Sequence, residues 1–566
     1  MSTDLNLRLG GEAGMGVDTT GTALGRVFHR DGYHVFTSQD YMSRIRGGHN
    51  FHQLRITDQP REAIRDGVDL LIAMDRRTVQ EHTQALTEGG LVLAEGEAAD
   101  DPPETLLVPF RRLAEAAGNA IYSNTVAAGA ALAVAGHPLD TYLALLAETF
   151  GRKGAAVVAG NQQAAQVGAE YVRQHYPDRL TRGTPVLPAH GKMLIGGVEA
   201  MALAALAAGV QFYSGYPMTP STALLNYFAV HAEQFGLVVE QAEDEIAAIN
   251  LCLGASYAGA RAMTATSGGG FALMVEGLAL AGMTETPIVV GLGMRPGPAT
   301  GLPTRTEQGE LWFALHGGHG EFPRFVFTPG NPTEAFDLTF RAFNLADKYQ
   351  TPALVLFDQY LADMTMTVPR FDLSGLEIER HLATPEEVGE GYAYARYRMT
   401  ESGVSPRALP GTPGAVVEVD SDEHDEHGHI IEDAATRKAM VDKRLRKYTG
   451  MRQEIVPPLV EGDAEPEVLL LGWGSTRGCL GEAADLLRAE GVRVARLHCP
   501  QVWPFPAEEV AAALRSARRS VVVENNATGQ FRDLIRRETG LQPDSLVSKY
   551  DGRPFSPSEV LEAIRP

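Results

Sequence analysis

Residues 288–305, IVVGLGMRPGPATGLPTR, form an apolar run that leads directly into a polar loop with two arginines. The same order occurs twice earlier in the chain. The apolar run at 210–213 precedes YPMTPST at 216–222, and the run at 237–239 precedes EDEIAA at 243–248. In an open parallel sheet, ligands bind outside the carboxyl ends of the strands. We therefore predict that the three polar clusters meet in one crevice.

The length and the pattern of the chain predict a multidomain α/β protein. A chain of 566 residues is too long for a single core. Strands alternate with helices in three stretches, which favours sheets covered by helices. We predict an α/β domain at 1–180, a doubly wound parallel domain at 193–390, an irregular acidic and His-rich connecting segment at 391–460, and a compact Rossmann-like domain at 461–566.

Charge and cysteine content exclude several classes of protein. A net charge of −22 disfavours a nucleic-acid partner, because phosphate binding needs clustered basic residues. The three cysteines Cys252, Cys479 and Cys499 are far apart and form no CxxC pair, so this chain cannot by itself hold a zinc knuckle or an iron–sulfur cluster. Sparse cysteine fits a reducing cytoplasm. We predict no secretion signal, no membrane span and no resident metal.

Two loops near the N-terminus each permit two interpretations. GGEAGMG at 10–16 follows a strand and precedes a helix, as in dinucleotide sites, but its spacing is not GxGxxG, so we favour a tight turn. In SRIRGGHN at 43–50, Ser43, Arg44 and Arg46 could contact an anionic ligand such as coenzyme A. The alternative for this second loop is a solvated turn.

Residues 418–433 contain eight acids and three histidines. Imidazole and carboxylate both ligate zinc or iron, so a metal site is conceivable. We favour a solvated or subunit-clasping loop, because charge runs of this kind are usually exposed.

YPMTPST, EDEIAAIN and RPGPATGLPTRTEQG together resemble the thiamine-diphosphate-dependent 2-oxoacid:ferredoxin oxidoreductases. The pattern is similar to the α subunit of the 2-oxoglutarate type, also called 2-oxoglutarate synthase, with a γ domain fused in front. The resemblance implies that 1–180 is the γ domain, 193–390 the pyrimidine-side thiamine-diphosphate domain and 461–566 a transketolase C-terminal-like domain. GWGS at 472–475 and ENNATGQ at 524–530 are turns of that last domain.

The resemblance also implies roles for individual residues. A thiamine enzyme needs a carboxylic acid against N1′ of the aminopyrimidine. The family glutamate lies nine residues before the glycine of a Gly-Ala pair, which selects Glu245 before Gly254 and leaves Glu243 as the alternative. The bland alternative for both is a first-turn acid favoured by the helix dipole. The resemblance further assigns Tyr216, Pro217 and Ser267 to the cofactor.

The substrate contacts implied by the resemblance are Thr219, Arg295 and Thr304, with Arg295 on the substrate carboxylate. A guanidinium fork suits a carboxylate better than an ammonium group does. Thr219 has an alternative role in turn or cap chemistry. We predict that Arg305 helps to select a second carboxylate, or else braces its own loop.

Nothing in the chain resembles the magnesium–diphosphate motif or the cluster cysteines, which in the family lie on a separate β subunit. The resemblance thus implies a complex, expected as an (αβ)₂ heterotetramer, that oxidises 2-oxoglutarate with coenzyme A and reduces ferredoxin. The same reaction can run backwards as reductive carboxylation. The alternatives are another 2-oxo acid such as pyruvate, or a nucleotide-binding regulatory or scaffold subunit.

Overall fold

The computed structural model describes residues 3–43, 47–96, 102–180, 183–390 and 393–565. The chain divides into two compact units. The first unit covers Met1–Ile195 together with the distant segments Asp363–Arg370 and Ser556–Glu559, and the second covers the rest.

The first unit is built on a mixed eight-stranded sheet. Its strands are β1 (Asp4–Glu12), β2 (His34–Asp40), β3 (His49–Thr57), β4 (Val68–Ala73), β5 (Leu86–Glu95), β6 (Thr105–Val108), β7 (Met193–Gly196) and β14 (Thr365–Val368). Their order across the sheet is β6-β5-β4-β1-β3-β2-β14-β7. β1, β4, β5 and β6 are parallel, whereas β3 runs antiparallel to both β1 and β2.

The helices of the first unit are α1 (Val17–Arg30), α2 (Arg76–His82), α3 (Phe110–Ala116), α4 (Ser123–Val134), α5 (Asp140–Phe150) and α6 (Ala155–His175). The GGEAGMG stretch is a tight turn between β1 and α1, as we predicted. Gly16 has a positive φ of 73°, and a Cβ there would lie 2.1 Å from the side-chain nitrogen of Asn124. Only glycine therefore fits this turn.

The larger sheet of the second unit has seven strands in the order β18-β12-β13-β11-β10-β8-β9. These are β8 (Phe212–Gly215), β9 (Val238–Gln241), β10 (Ala262–Ser267), β11 (Ile288–Met294), β12 (Phe325–Phe327), β13 (Pro352–Asp358) and β18 (Gln501–Trp503). All are parallel to their neighbours except β18. Every residue of β10, β11 and β13 is buried, which is the pattern of strands covered on both faces.

The helices that cover this sheet are α7 (Gly197–Ala207), α8 (Thr222–Phe235), α9 (Glu245–Tyr257), α10 (Gly268–Met283), α11 (Leu311–His316), α12 (Pro332–Tyr349) and α13 (Gln359–Asp363). The predicted doubly wound parallel sheet is confirmed.

The C-terminal part of the second unit contains a five-stranded sheet in the order β15-β17-β16-β19-β20. Its elements are β15 (Leu459–Gly462), β16 (Val468–Trp473), β17 (Val494–Cys499), β19 (Arg519–Glu524), β20 (Ser545–Ser548), α16 (Thr476–Ala489), α17 (Ala507–Ser516), α18 (Gln530–Thr539) and α19 (Pro557–Ile564). One hydrophobic cluster includes Leu292 of the larger sheet and Leu471 of this one. The two sheets therefore share a core.

The segment 391–460, which we predicted to be irregular, has no helix from residue 393 to 433 and then forms the long helix α15 (Ala434–Met451). The short helix α14 (Pro385–Val388) precedes this segment. The prediction was wrong for α15, because the buried face of this helix is cationic rather than apolar. Lys443 and Lys447 bond the buried carboxylate of Glu285, and Arg444 bonds Glu423. A search for apolar periodicity cannot detect such a face.

Short 3-10 turns at Thr83–Ala85, Ala120–Tyr122, Gly151–Lys153, Pro177–Arg179 and Arg452–Glu454 complete the described secondary structure. Among the described residues, no helix combines the length and the apolar character needed to cross a membrane.

Candidate active site

Two of the three predicted polar clusters are in direct contact. β8 lies beside β10, and β10 lies beside β11, with Thr264 opposite Val290. The loops after β8 and β11 therefore leave the sheet at the same edge. Arg295, just after β11, donates a hydrogen bond from Nη1 to the carbonyl oxygen of Thr219 at 2.7 Å. The guanidinium is almost fully buried, which lowers the pKa of Arg295, while the nearby Glu310 acts in the opposite direction.

The third cluster contributes the carboxyl group of Glu245, the first residue of α9. The side chain of Asp244 caps this helix by accepting a hydrogen bond from the amide of Ala247 at 2.7 Å. Glu245 is therefore not needed as the helix cap. Its side chain is 3% exposed, whereas Glu243 is exposed. A Cβ at Gly270 would lie 2.4 Å from Oε1 of Glu245. The carboxyl group thus packs against the start of α10, where only glycine leaves room.

Several buried polar atoms near these strand ends have no hydrogen-bond partner among the described residues. They are Oε1 of Glu245, the hydroxyls of Ser214, Thr264 and Ser267, and Oε2 of Glu310. Buried polar groups in folded proteins are almost always hydrogen-bonded. Several unpaired buried polar atoms close together therefore indicate a ligand-binding site. Ser267 occupies the N-cap position of α10 without a side-chain capping hydrogen bond, and Gly268–Gly270 follow it. The start of α10 is therefore lined by polar atoms and by bare backbone.

The loop after β11 is closed by its own backbone. The amide of Leu302 donates to the carbonyl of Pro296 at 3.1 Å, and the amide of Arg305 donates to the carbonyl of Leu302 at 3.1 Å. Gly301 has a φ of 53°, and a Cβ there would lie 1.7 Å from the carbonyl oxygen of Pro296. Thr304 is buried and Arg305 is half-buried. These backbone hydrogen bonds fix the positions from which the side chains of Thr304 and Arg305 project.

Gln308 anchors the C-terminal end of this loop to the ENNATGQ turn after β19. Its Oε1 accepts a hydrogen bond from the amide of Asn525 at 2.9 Å, and its Nε2 donates to the carbonyl of Trp473 at 2.8 Å. The side chain of Asn526 donates to the Gln308 carbonyl at 3.2 Å, and Gln530 donates to the carbonyl of Gly309 at 2.8 Å. The sequence analysis treated this motif only as a turn and missed its contact with the loop.

Glu310 is a second functional candidate that the sequence analysis missed. Its Oε1 packs against Gly268, where a Cβ would lie 2.5 Å away. Burial and the neighbouring carboxyl of Glu307 raise the pKa of Glu310 to about 8, although Arg295 opposes the shift. A carboxyl group that stays neutral at pH 7 beside a buried arginine is characteristic of functional sites. Its only signal in the sequence is its place in the EQGE stretch.

The remaining predicted site residues lie at the surface or outside the described part of the chain. Tyr216 and Pro217 are exposed in the loop after β8. Ser43 is exposed, and Arg44 and Arg46 fall outside the described residues. The lining of a cavity of about 260 Å³ beside the GGEAGMG turn includes the carboxylates of Glu12, Asp18 and Asp40 and, within the described part of the chain, no Lys or Arg. Such a lining disfavours a nucleotide phosphate.

One group of described residues has the composition of a metal site. Nε2 of His49 lies 2.7 Å from Nε2 of His82 and 3.8 Å from a carboxylate oxygen of Glu81. However, Nη1 of Arg8 lies 3.2 Å from Nδ1 of His82. A guanidinium only donates, so His82 carries its proton on Nε2 and donates it to His49. The pair is therefore a hydrogen-bonded couple rather than a metal site.

In the acidic segment 418–433, His424 is buried against the ring of Tyr397, with ring centroids 4.0 Å apart. His427 and His429 are exposed. The segment is therefore neither fully solvated nor, among the described residues, assembled into a group of metal ligands.

Comparison with known proteins decides the family. The chain is 32% identical over 631 residues to the α subunit of 2-oxoacid:ferredoxin oxidoreductase 2 from Aeropyrum pernix, with 99% of this chain and 97% of the relative covered. The chain belongs to the α subunits of the 2-oxoacid:ferredoxin oxidoreductases. The 2-oxoglutarate oxidoreductase subunit KorA from Mycobacterium tuberculosis is 31% identical, over 99% of this chain and 91% of its own length.

Family models place the parts of this oxidoreductase subunit along the chain. "Pyruvate flavodoxin/ferredoxin oxidoreductase, thiamine diP-bdg" matches 203–443, "Pyruvate ferredoxin/flavodoxin oxidoreductase" matches 6–171, and "Pyruvate:ferredoxin oxidoreductase core domain II" matches 466–560. Among solved structures, the 2-oxoglutarate:ferredoxin oxidoreductase from Magnetococcus marinus with 2-oxoglutarate, coenzyme A and succinyl-CoA bound is 33% identical with a TM-score of 0.93, over 100% of this chain and 99% of that one. The predicted family and fold class are confirmed.

Proposed function

We propose that this chain is the α subunit of a 2-oxoglutarate:ferredoxin oxidoreductase whose active site is completed by a separate β subunit. The reaction converts 2-oxoglutarate and coenzyme A into succinyl-CoA and CO₂, releases one proton, and transfers two electrons to two ferredoxins. It also runs backwards as reductive carboxylation. The observation that carries the proposal is the contact of Arg295 with Thr219 at the sheet edge that also bears the buried Glu245.

The start of α10 fits the aminopyrimidine half of thiamine diphosphate. The unpaired polar atoms of Glu245 and Ser267 offer hydrogen bonds to a nitrogen heterocycle, and Gly269, where an added Cβ would meet no atom within 4 Å, leaves space beside them. When bound, thiamine diphosphate supplies the carbon nucleophile for the 2-oxo group and accepts the electron pair left by CO₂. In this arrangement Glu245 holds a proton at ring nitrogen N1′. Tyr216 and Pro217 border the same cofactor from the exposed loop after β8.

Arg295, Thr219 and Thr304 hold the 2-oxo acid in the proposed site. The Arg295 guanidinium pairs with the 1-carboxylate, and it keeps its charge available because Glu310 is neutral at pH 7. The hydroxyl groups of Thr219 and Thr304 orient the 2-oxo group and the carboxylate. Arg305, next to Thr304 on the same closed loop, pairs with the distal carboxylate that distinguishes 2-oxoglutarate from pyruvate.

An uncovered apolar surface beside Glu245 supports a partner subunit. Ile246 and Leu251 on α9 are 47% and 42% exposed, and Leu273 on α10 is 47% exposed. A groove of about 750 Å³ lined in part by Ile246 lies between these helices. Leu251 lines a separate groove of about 900 Å³ along the same helix, so apolar side chains are exposed on more than one side of α9, as in interaction surfaces. We assign this surface to the β subunit.

The cysteines also support a separate β subunit that binds the iron–sulfur cluster. Cys252, Cys479 and Cys499 are buried and unbridged, and burial raises the pKa of Cys252 to about 12. Thiols of this kind are poor metal ligands because the thiolate is the ligand. We therefore assign the iron–sulfur cluster, the Mg²⁺ and the diphosphate contacts to the β subunit, with ferredoxin and coenzyme A as further partners of an (αβ)₂ assembly in the cytoplasm. Ser43, Arg44 and Arg46 remain predicted contacts of coenzyme A.

The test is to co-express the chain with its cysteine-rich partner and to measure dye reduction that depends on both 2-oxoglutarate and coenzyme A. We expect kcat/KM for 2-oxoglutarate to exceed that for pyruvate roughly a hundredfold, because pyruvate lacks the distal carboxylate that Arg305 would contact. The isolated chain should be colourless and free of iron. A preference for pyruvate would agree with the family assignment but contradict the proposal that 2-oxoglutarate is the substrate. Nucleotide binding without turnover would instead favour the regulatory or scaffold alternative.

A further inference from the structure

Buried cations outnumber carboxylates where the connecting segment packs on the second unit. The carboxylate of Asp347 accepts from Arg261, Arg380 and Arg407, at N···O distances of 2.8, 3.2 and 2.9 Å. Asp347, Arg261 and Arg407 are all buried. Three guanidinium groups, of which Arg380 is partly exposed, therefore share one carboxylate, which leaves a net excess of positive charge. A low-dielectric interior makes such an excess costly unless an anion offsets it.

Arg396 brings a third buried guanidinium to the same region. It donates to the side-chain oxygen of Gln350 at 2.8 Å and to the main-chain carbonyl of Glu285 at 2.7 Å, both of which are neutral acceptors. The carboxylate of Glu285 is bonded to Lys443 and Lys447 at 2.5 and 2.6 Å. The nearest described acid is thus already shared by two ammonium groups, and the positive excess extends to Arg396.

A small cavity lies between Arg396 and Arg407. It measures about 10 Å³, and its other walls come from Tyr257, Thr286 and the apolar side chains around Leu409. The Nε atom of Arg407 is buried and has no hydrogen-bond partner among the residues that the structure describes. A buried donor without an acceptor costs free energy comparable to a lost hydrogen bond. This is enough for one water, and a halide ion, which is somewhat larger than a water, would require a small outward shift of the lining side chains.

We propose that this cavity binds one small monovalent anion, with chloride as the physiological ligand, between the guanidinium groups of Arg396 and Arg407. A halide accepts N–H donors from several directions, and its single charge reduces the local excess. A phosphate or a carboxylate is too large for the space. Burial lowers the pKa of Arg407 to about 10, and Asp347 opposes this shift while Arg396 adds to it. A bound anion would favour the charged form of Arg407.

The bound anion would link three elements. Tyr257 ends α9, Thr286 precedes β11, and Arg407 and Leu409 belong to the SPRALPG stretch of the connecting segment. Halide binding is therefore expected to stabilise the second unit without a direct role in turnover. This inference does not depend on the proposed substrate.

Bromide tests the site in the wild-type protein, because it substitutes for chloride and scatters anomalously. Crystals grown in sodium bromide should give an anomalous peak between Arg396 and Arg407. When sodium chloride replaces sodium gluconate at constant ionic strength, the Tm should rise by roughly 1–2 °C for a chain of this size. The rise should saturate with increasing chloride concentration. A missing peak, or equal Tm values in the two salts, would overturn the proposal and leave a water in the cavity.

Arg407→Gln should abolish the chloride-dependent part of the Tm, whatever its effect on the Tm itself. Arg380→Gln is the matched control, because Arg380 also bonds Asp347 but does not line the cavity. The control should keep the full chloride response. Loss of the response in both variants would mean that chloride acts through the Asp347 cluster and not through the cavity. The wild-type measurements decide the matter if Arg407→Gln does not fold.

Discussion

Replacement of Glu245 by glutamine tests the assignment of the active site. The side chain is 3% exposed, and Oε1 has no hydrogen-bond partner among the described residues, whereas Glu243 is exposed. The substitution keeps the size of the side chain and removes the carboxylic proton. We expect turnover to be lost while the fold remains.

The magnitude follows from the proposed role. A positioned acid or base contributes roughly 10²–10⁴-fold to the rate. This corresponds to about 2.7–5.5 kcal/mol in the activation barrier, at about 1.36 kcal/mol for each factor of ten. Because Oε1 makes no hydrogen bond to a described residue, Glu245→Gln should change the free energy of unfolding by less than about 1 kcal/mol. Glu243→Gln, the matched surface control, should change it by less than about 0.5 kcal/mol.

The assay is 2-oxoglutarate- and coenzyme-A-dependent dye reduction by the assembled enzyme, with thermal unfolding of each variant measured in parallel. The expected pattern is a stable but inactive Glu245→Gln enzyme and a fully active Glu243→Gln enzyme. The reasoning is refuted if the activities are reversed. It is also refuted if Glu245→Gln loses activity only because the chain unfolds.

Three further predictions concern charged residues. Arg295→Ala should depress kcat/KM for all 2-oxo acids alike, whereas Arg305→Ala should depress it for 2-oxoglutarate roughly a hundredfold more than for 2-oxobutyrate; equal losses in steady-state kinetics would mean that Arg305 is structural. Glu310, with a pKa of about 8, should be neutral below that pH and negative above it. The KM for 2-oxoglutarate should then rise by about tenfold per pH unit on the alkaline side, because the ionised carboxylate competes for Arg295. Glu310→Gln should show a flat profile, and a rise that persists in this variant would assign the titration to another group. Glu285→Gln should lower stability by about 3–5 kcal/mol, because it leaves the ammonium group of Lys443 buried without a counter-ion. Urea unfolding measures this loss, and an unchanged midpoint would contradict it.

The strands and strand-end motifs of the second unit could be predicted because their signals are local. The run at 288–292 has no polar alternation, which indicates a strand buried on both faces, and β11 is buried throughout. The choice of Glu245 over Glu243 came instead from the resemblance, through its spacing of nine residues to Gly254. The side chain of Glu245 is indeed the buried one of the pair with Glu243.

The features that were missed depend on contacts between distant residues. β14 has only four residues, and it becomes a strand because Thr365 and Met366 pair with Thr37 and Phe36 of the first sheet. Nothing in its own sequence indicates that partner. The packing of the Glu310 carboxyl group likewise depends on Gly268, far earlier in the chain. Patterns within a window of ten or twenty residues contain no information about either.

The hydrogen bonds of Gln308 have an evolutionary consequence. The side-chain oxygen of Gln308 accepts a hydrogen bond from the amide of Asn525, 217 residues away, and its side-chain nitrogen donates one to the carbonyl of Trp473. A substitution in the last domain can therefore move the loop that bears Arg305 without a change in the loop itself. Natural selection for a new 2-oxo acid can thus act on two distant stretches of the gene, and homologous loops with identical sequences need not share a substrate preference.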